Sequence, residues 1–214
     1  CTSIRQVLFT KCFVGNKGHV ISYGRGVDDE STLKLCGNLE GKRVLELGVP
    51  RGYVNAVAIA LSGARTIVVD PATPSIDTVR MIATREGATV ECHQADLADL
   101  GNISSGYLDL VLCVDQLWRP MDLNRVLRQV HRVLKPNGTF VVAIGHPVGD
   151  MFDQGSSQAV RRYGSEGSRG LADLFMALRR NNFNVDVVHE LDSRNNSGGP
   201  APDTLVLRAQ KLGL

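Results

Sequence analysis

Two carboxylates, Glu46 and Asp70, each close an apolar run and stand where a buried strand gives way to a turn. Arg43-Val-Leu-Glu-Leu-Gly-Val-Pro-Arg-Gly52 sets Glu46 just ahead of a glycine-bearing turn, and Thr66-Ile-Val-Val-Asp70 ends in the second acid before Pro71. In α/β sheets the ligand crevice lies beyond the carboxyl ends of the strands, so Glu46, Gly48 and Asp70 are expected to look into one cleft, where a nucleoside's ribose hydroxyls could meet Asp70. That pattern suits a nucleoside cofactor. The plainer readings stand beside it. Glu46 could be a strand-end carboxylate in a surface turn, although between Leu45 and Leu47, in a strand covered on both faces, an unpaired charge would be costly. Asp70 could equally cap the turn at Pro71.

Other side chains could act at the same edge. His146 follows the apolar run 139–145, and an imidazole at the cleft rim could take a proton from a substrate; it could also be a turn histidine before Pro147. Asp115, just past the run 108–114, either faces a ligand's ammonium or the substrate, or starts the turn into Gln116-Leu-Trp118. Asp96 can touch a ligand or cap a short turn near Asp99. Trp118, the only tryptophan, can wall a substrate pocket or pack in the core, and Tyr163 is a weaker candidate of that kind. His93 and His131 read as structural and helix-surface residues.

These groups need elements to hold them, and the chain alternates apolar runs with helical stretches. Strands are predicted at 43–48, 66–70, 88–93, 108–114 and 139–145, and helices at 28–38, 53–62, 74–86, 122–134 and 169–181. Such alternation implies parallel strands joined by crossover helices. The last two runs, 184–189 and 204–209, have no helix between them and are expected to pair antiparallel. Residues 145–170, rich in Gly and Ser, show little periodicity and read as a lid or binding loop.

Composition bounds the class. The chain has 214 residues, 43% of them hydrophobic, and a net charge of +2, which fits one ordinary globular domain and gives no reason to expect nucleic acid as the partner. The five cysteines are scattered and form no C-x-x-C pair, so reduced thiols are expected rather than a disulfide framework or zinc cluster. No run is long and apolar enough to cross a bilayer, and residues 1–30 lack the pattern of a signal peptide; a cytoplasmic location, with no membrane partner, is the expectation. The chain opens on Cys1 rather than Met, so further residues upstream are anticipated.

Taken in order, the motifs resemble those of class I S-adenosylmethionine (SAM)-dependent methyltransferases, particularly small-molecule enzymes of actinobacterial type, over about residues 19–212. Gly41-Lys-Arg-Val-Leu-Glu-Leu-Gly48 is similar to the family's first motif and Asp70 stands at its ribose-binding acid. Gln94-Ala-Asp96-Leu97 resembles the adenine-binding segment, Tyr107 to Cys113 the fourth strand, and Arg132-Val-Leu-Lys-Pro-Asn-Gly138 the R-V-L-K-P-G-G helix exit. The resemblance implies a Rossmann-like, doubly wound α/β fold: a mostly parallel seven-stranded sheet with an antiparallel last strand and helices on both faces. It implies a lead-in (1–40) closing over the cofactor and a SAM-binding domain (41–214). SAM, leaving as S-adenosyl-L-homocysteine, would be held by Tyr23, Glu46, Gly48, Val49, Pro50, Asp70, Pro71, Asp96, Leu97 and Val114. His146 and Asp115 are the candidate catalytic groups, and no metal is implied.

One position departs from the pattern. Pro50 replaces the middle glycine of acid-x-G-x-G-x-G; proline fixes φ near −65° and lacks an N–H, so this turn is expected to run differently from its relatives. Val114-Asp-Gln-Leu is not the N-P-P-Y of amino-methylating nucleic-acid enzymes, and no paired acids and amide follow the fourth strand as in magnesium-dependent catechol enzymes. Methyl transfer to O or N of a small organic molecule is therefore the expected function. A non-catalytic methyltransferase-like scaffold remains the alternative. An NAD(P)-dependent oxidoreductase is a weaker one, since Gly48-Val-Pro50-Arg-Gly52 is not G-x-G-x-x-G.

Overall fold

The computed structural model describes residues 20–117, 122–153, 156–164, 170–194 and 199–213. Its centre is a sheet of seven strands: β1 (Arg43–Leu47), β2 (Arg65–Asp70), β3 (Val90–Gln94), β4 (Leu108–Val114), β5 (Leu134–Gly145), β6 (Phe183–Leu191) and β7 (Thr204–Lys211), in the order β3-β2-β1-β4-β5-β7-β6. The pairs β2–β3, β1–β2, β1–β4 and β4–β5 are parallel, whereas β7 runs antiparallel to both β5 and β6. The order reverses between β1 and β4. That switch point opens the crevice into which the strand ends look.

Both faces of the central strands are covered, which is why β1 and β4 are almost continuously apolar. Leu45, Leu47, Val111, Cys113, Phe140 and Val142 pack on one side, with Val126, Leu127, Val130 and Val133 of α4 (Leu123–Val133) and Leu174 and Leu178 of α5 (Leu171–Arg180). Val44, Leu110, Leu112 and Val141 face the other side, where Ala58 and Ile59 of α2 (Asn55–Leu61) and Ile21, Tyr23 and Leu39 of the lead-in meet them. Ile76 and Val79 of α3 (Thr73–Glu86) close that face over Val68. The expected doubly wound architecture is the one observed.

Two elements differ from the sequence expectation. The helix foreseen at 28–38 is a single turn, α1 (Glu30–Leu33), because Lys34 takes a left-handed φ of 51° and Glu30 folds back to accept from the Leu35 and Cys36 amides. Acids that suit a helix start here serve as caps. The fifth strand begins earlier than residue 139, at Leu134, and carries a bulge: Leu108 pairs Leu134 while Leu110 pairs Thr139. Inside that bulge Asn137 has φ 60°, and a β-carbon on Gly138 would lie 2.8 Å from Lys135 O, so Gly138 cannot be replaced without moving backbone.

The segment after β5 is less featureless than its composition suggests. It holds a 3-10 turn (Gly149–Met151) and a bridge between Phe152 and Ala159, and Arg161 donates to Asp150 O, Phe152 O and the Asp153 carboxylate. Tyr163 Oη accepts from Leu171 N at 2.7 Å, docking the segment on the start of α5. Among the described residues no helix is long and apolar enough to cross a membrane.

Candidate functional site at the carboxyl ends of the strands

Glu46 lies on the β1 face that α2 covers and is fully buried. Its Oε2 accepts from Ala56 N at 2.7 Å, which supplies the cap that Val54, at the N-cap position of α2, does not provide. Oε1 has no partner. Burial pushes the carboxyl up to about 8, partly offset by the Ala56 and Asn55 amides and reinforced by the nearby Asp70. A carboxylic acid that keeps its proton near neutrality sits where a cation would draw that proton off.

Asp70 closes β2 and is almost wholly buried. Oδ2 accepts from Val49 N at 2.7 Å and Oδ1 from Ala72 N at 2.8 Å, so one side chain ties the turn after β1 to the turn after β2. Capping at Pro71 is real, and so is convergence on the glycine turn. Gly48 N also donates to Val69 O at 2.7 Å. Positive φ falls on Gly48 (77°) and Gly52 (88°), leaving buried Pro50 free of that demand, so the proline fits this turn without strain.

The end of β4 forms the opposite wall. Val114 is buried, and Asp115 takes a left-handed φ of 56° while its amide donates to Ala143 O at 2.8 Å. Its side chain reaches solvent, yet desolvation within the cleft raises its carboxyl above the usual range. Next comes Gln116, which the sequence reading treated only as part of a turn. It is buried, its Nε2 donates to Val49 O at 3.1 Å, and a β-carbon built on Gly48 would overlap its Cγ and lie 2.9 Å from its Cδ. Gln116 therefore lies directly over the glycine. Tyr53, just after Gly52, is half-buried; burial raises its hydroxyl, with Ser22 and Arg25 opposing and Asp115 reinforcing the shift. Asn55 fixes the lead-in here, accepting from Ser22 N at 2.9 Å and donating to Ser22 O at 3.0 Å.

Other candidates fall elsewhere. His146, expected at the cleft rim, is interior: Nδ1 accepts from Val148 N at 3.2 Å, which leaves the Nε2 proton to Glu190 at 2.9 Å. With both nitrogens engaged, it has no free site for a substrate proton. Tyr23, expected to close over the cofactor, is fully buried among the lead-in residues, its hydroxyl donating to the Glu30 carboxylate with Cys36 Sγ 3.4 Å away. Leu97 lies in the core, and exposed Asp96 accepts from Ala98 N at 2.7 Å as a turn cap. Exposed Pro71 offers its carbonyl to Gln94 Nε2 at 3.4 Å. His93 pairs with Glu91, and His131 reaches Leu212 O while meeting the Phe183 ring edge-on. Trp118 lies outside the described residues, and among those described no three His, Cys, Asp or Glu side chains group as metal ligands.

Residues 45–142 match the family described as "Methyltransferase domain". A ubiquinone biosynthesis O-methyltransferase of Bordetella avium is 31% identical over 105 residues, 49% of this chain and 43% of that protein, so the matched part spans under half of that relative. A SAM-dependent methyltransferase from Mesorhizobium loti superposes with a TM-score of 0.69 at 21% identity, covering 83% of this chain and 94% of that one. A Burkholderia thailandensis 1,6-didemethyltoxoflavin-N1-methyltransferase, solved with bound 1,6-didemethyltoxoflavin and S-adenosylhomocysteine, gives a TM-score of 0.60 at 20% identity over 81% of this chain and 72% of that one. The likeness of these structures is one of fold, that of SAM-dependent methyltransferases, and the stretch from β1 into β5 is similar to a methyltransferase domain.

Proposed function

We propose that this chain binds SAM and transfers its methyl group to an oxygen or nitrogen of a small organic molecule. The observation that carries the reading is the junction of two strand-ending acids over one glycine turn: Asp70 holds Val49 N, and Glu46, buried beside it, keeps one oxygen without a partner among the described residues. The names of the relatives support both acceptor atoms, one being an O-methyltransferase and one an N1-methyltransferase. Asp70 would take the ribose hydroxyls on the lone pairs its backbone bonds leave open. The Gly48 and Val49 backbone would line the methionine part, and the exposed Pro71 and Asp96 the adenine side, with Leu97 packed in the core behind them.

When bound, SAM supplies a methyl carbon already activated by its sulfonium, so the protein's work is alignment and exclusion of water. Where an acceptor must also lose a proton, Asp115 is the group to take it, because its carboxyl reaches the cleft and sits above its usual range. His146, held at both nitrogens, serves to position the β5 exit. Titration calorimetry with SAM, S-adenosylhomocysteine and NADH tests the reading, followed by methyl-transfer assays on phenols and ring nitrogens. Micromolar SAM binding is expected; NADH binding alone would overturn it, and silence toward all three would favour a scaffold.

A further inference from the structure

We infer that Gln116 is a latch on the cofactor groove: in the free chain its side chain covers the glycine turn, and SAM seats only when that side chain swings away. The inference rests on the SAM-binding reading above and adds to it a residue that no motif assigns. Three observations carry it. First, Gln116 occupies the space above Gly48 so closely that even a methyl group there would overlap its Cγ. Second, its Nε2 donates to Val49 O at 3.1 Å, bridging the β4 exit to the β1 exit across the crevice and occupying the backbone that would meet a ligand. Third, the side chain is buried, so the cover is seated rather than splayed into solvent.

The device can open. Among the described residues one neutral amide-to-carbonyl bond holds its side chain, the kind of bond whose net contribution is small because water or a ligand can replace it. The neighbours fix where the motion must occur. Leu117 is buried in the core cluster and anchors the backbone on one side, while Asp115, in its left-handed conformation, is bonded to Ala143 O on the other. The turn is thus held in place, and rotation about the side-chain torsions of Gln116 is the available movement. Opening would free both the Gly48 face and Val49 O for the ligand.

Calorimetry of SAM and S-adenosylhomocysteine on the wild-type chain and on Gln116→Ala tests this. Loss of one competing neutral bond predicts roughly threefold to tenfold tighter binding in the variant. Binding by Gln116→Ala alone would also support the latch. Equal or weaker binding by the variant, with the wild type binding, overturns the latch while leaving SAM binding intact; weaker binding would mean that Gln116 grips the ligand. No binding by either chain overturns the latch together with the function proposed. Gln116→Ser, checked by circular dichroism, repeats the test should Ala not fold. A second readout is the side-chain amide resonance of Gln116, which should shift on addition of S-adenosylhomocysteine; an unmoved resonance under saturation sinks the latch.

Discussion

The two ends of the sheet treat a buried-side carboxylate in opposite ways. At the amino ends, Asp109 of β4 accepts from Lys135 Nζ at 2.5 Å and from Arg43 N at 2.9 Å, while the Arg43 guanidinium lies 4.3 Å from the centre of the Tyr107 ring. Burial opposes its charged form, but the Arg43 amide and the Lys135 ammonium outweigh that and hold the carboxyl below its ordinary range. At the carboxyl ends Glu46 has, among the described residues, no cation beside it and one unmatched oxygen, and burial pushes its carboxyl up to about 8. An acid supplied with its own partners belongs to the architecture. One left half-satisfied is, on the function proposed, the group a ligand would complete.

The contrast can be broken or sharpened by experiment, beginning with the largest effect. Above the ordinary carboxyl value of 4.5 the unfolded chain has released the Glu46 proton, whereas the folded chain keeps it to about 8. Stability should therefore fall as pH rises through that window, by up to about 1.4 kcal/mol per pH unit, and level off beyond it. Urea titrations from pH 5 to 9 should show that slope in the wild type and not in Glu46→Gln; an identical slope in both would mean that Glu46 is ionised in the fold. Next, Asp70→Ala should weaken SAM binding roughly 10- to 100-fold, the cost of charge-assisted bonds to ribose hydroxyls. Unchanged affinity would reduce Asp70 to a turn cap.

Gly48→Ala combines a left-handed φ of 77° with the overlap on Gln116 and should lose about 1 to 3 kcal/mol by chemical denaturation. Pairing it with Gln116→Ala should recover part of that loss, whereas full additivity would place the strain in the backbone alone. The smallest change belongs at the other end. Lys135→Met should cost under about 1 kcal/mol, because its partner ion pair is only half-shielded from water, and should leave SAM affinity untouched. That contribution is lost as pH falls through the depressed Asp109 carboxyl, the reverse of the Glu46 trend.

How far the residues foretold these features depends on how local each cause is. Strands β1, β2 and β4 and helix α4 were readable because buried parallel strands need apolar runs, and Val126, Leu127, Val130 and Val133 repeat at helical spacing. Glu46 and Asp70 were readable as strand-end acids. The shortened α1 was not, since Glu30 abandons the helix for amides at Leu35 and Cys36 that only the folded turn presents. Nor was the fate of His146: its partner Glu190 sits on β6, reached across β7, a neighbour no local pattern reveals. Gln116 left no signal because what makes it matter is Gly48, far away in the chain.

The insertion of β7 between β5 and β6 has a consequence for the order of events at the ribosome. Residues 204–211, the last of the seven strands to be made, form an inner plank rather than a trailing edge, hydrogen-bonded on both sides. Until they emerge, β5 has an open flank and β6 has no neighbour, so the nascent chain must hold Phe140, Val142 and Phe183 without their final companions. Completion of the sheet is thus tied to completion of this final stretch.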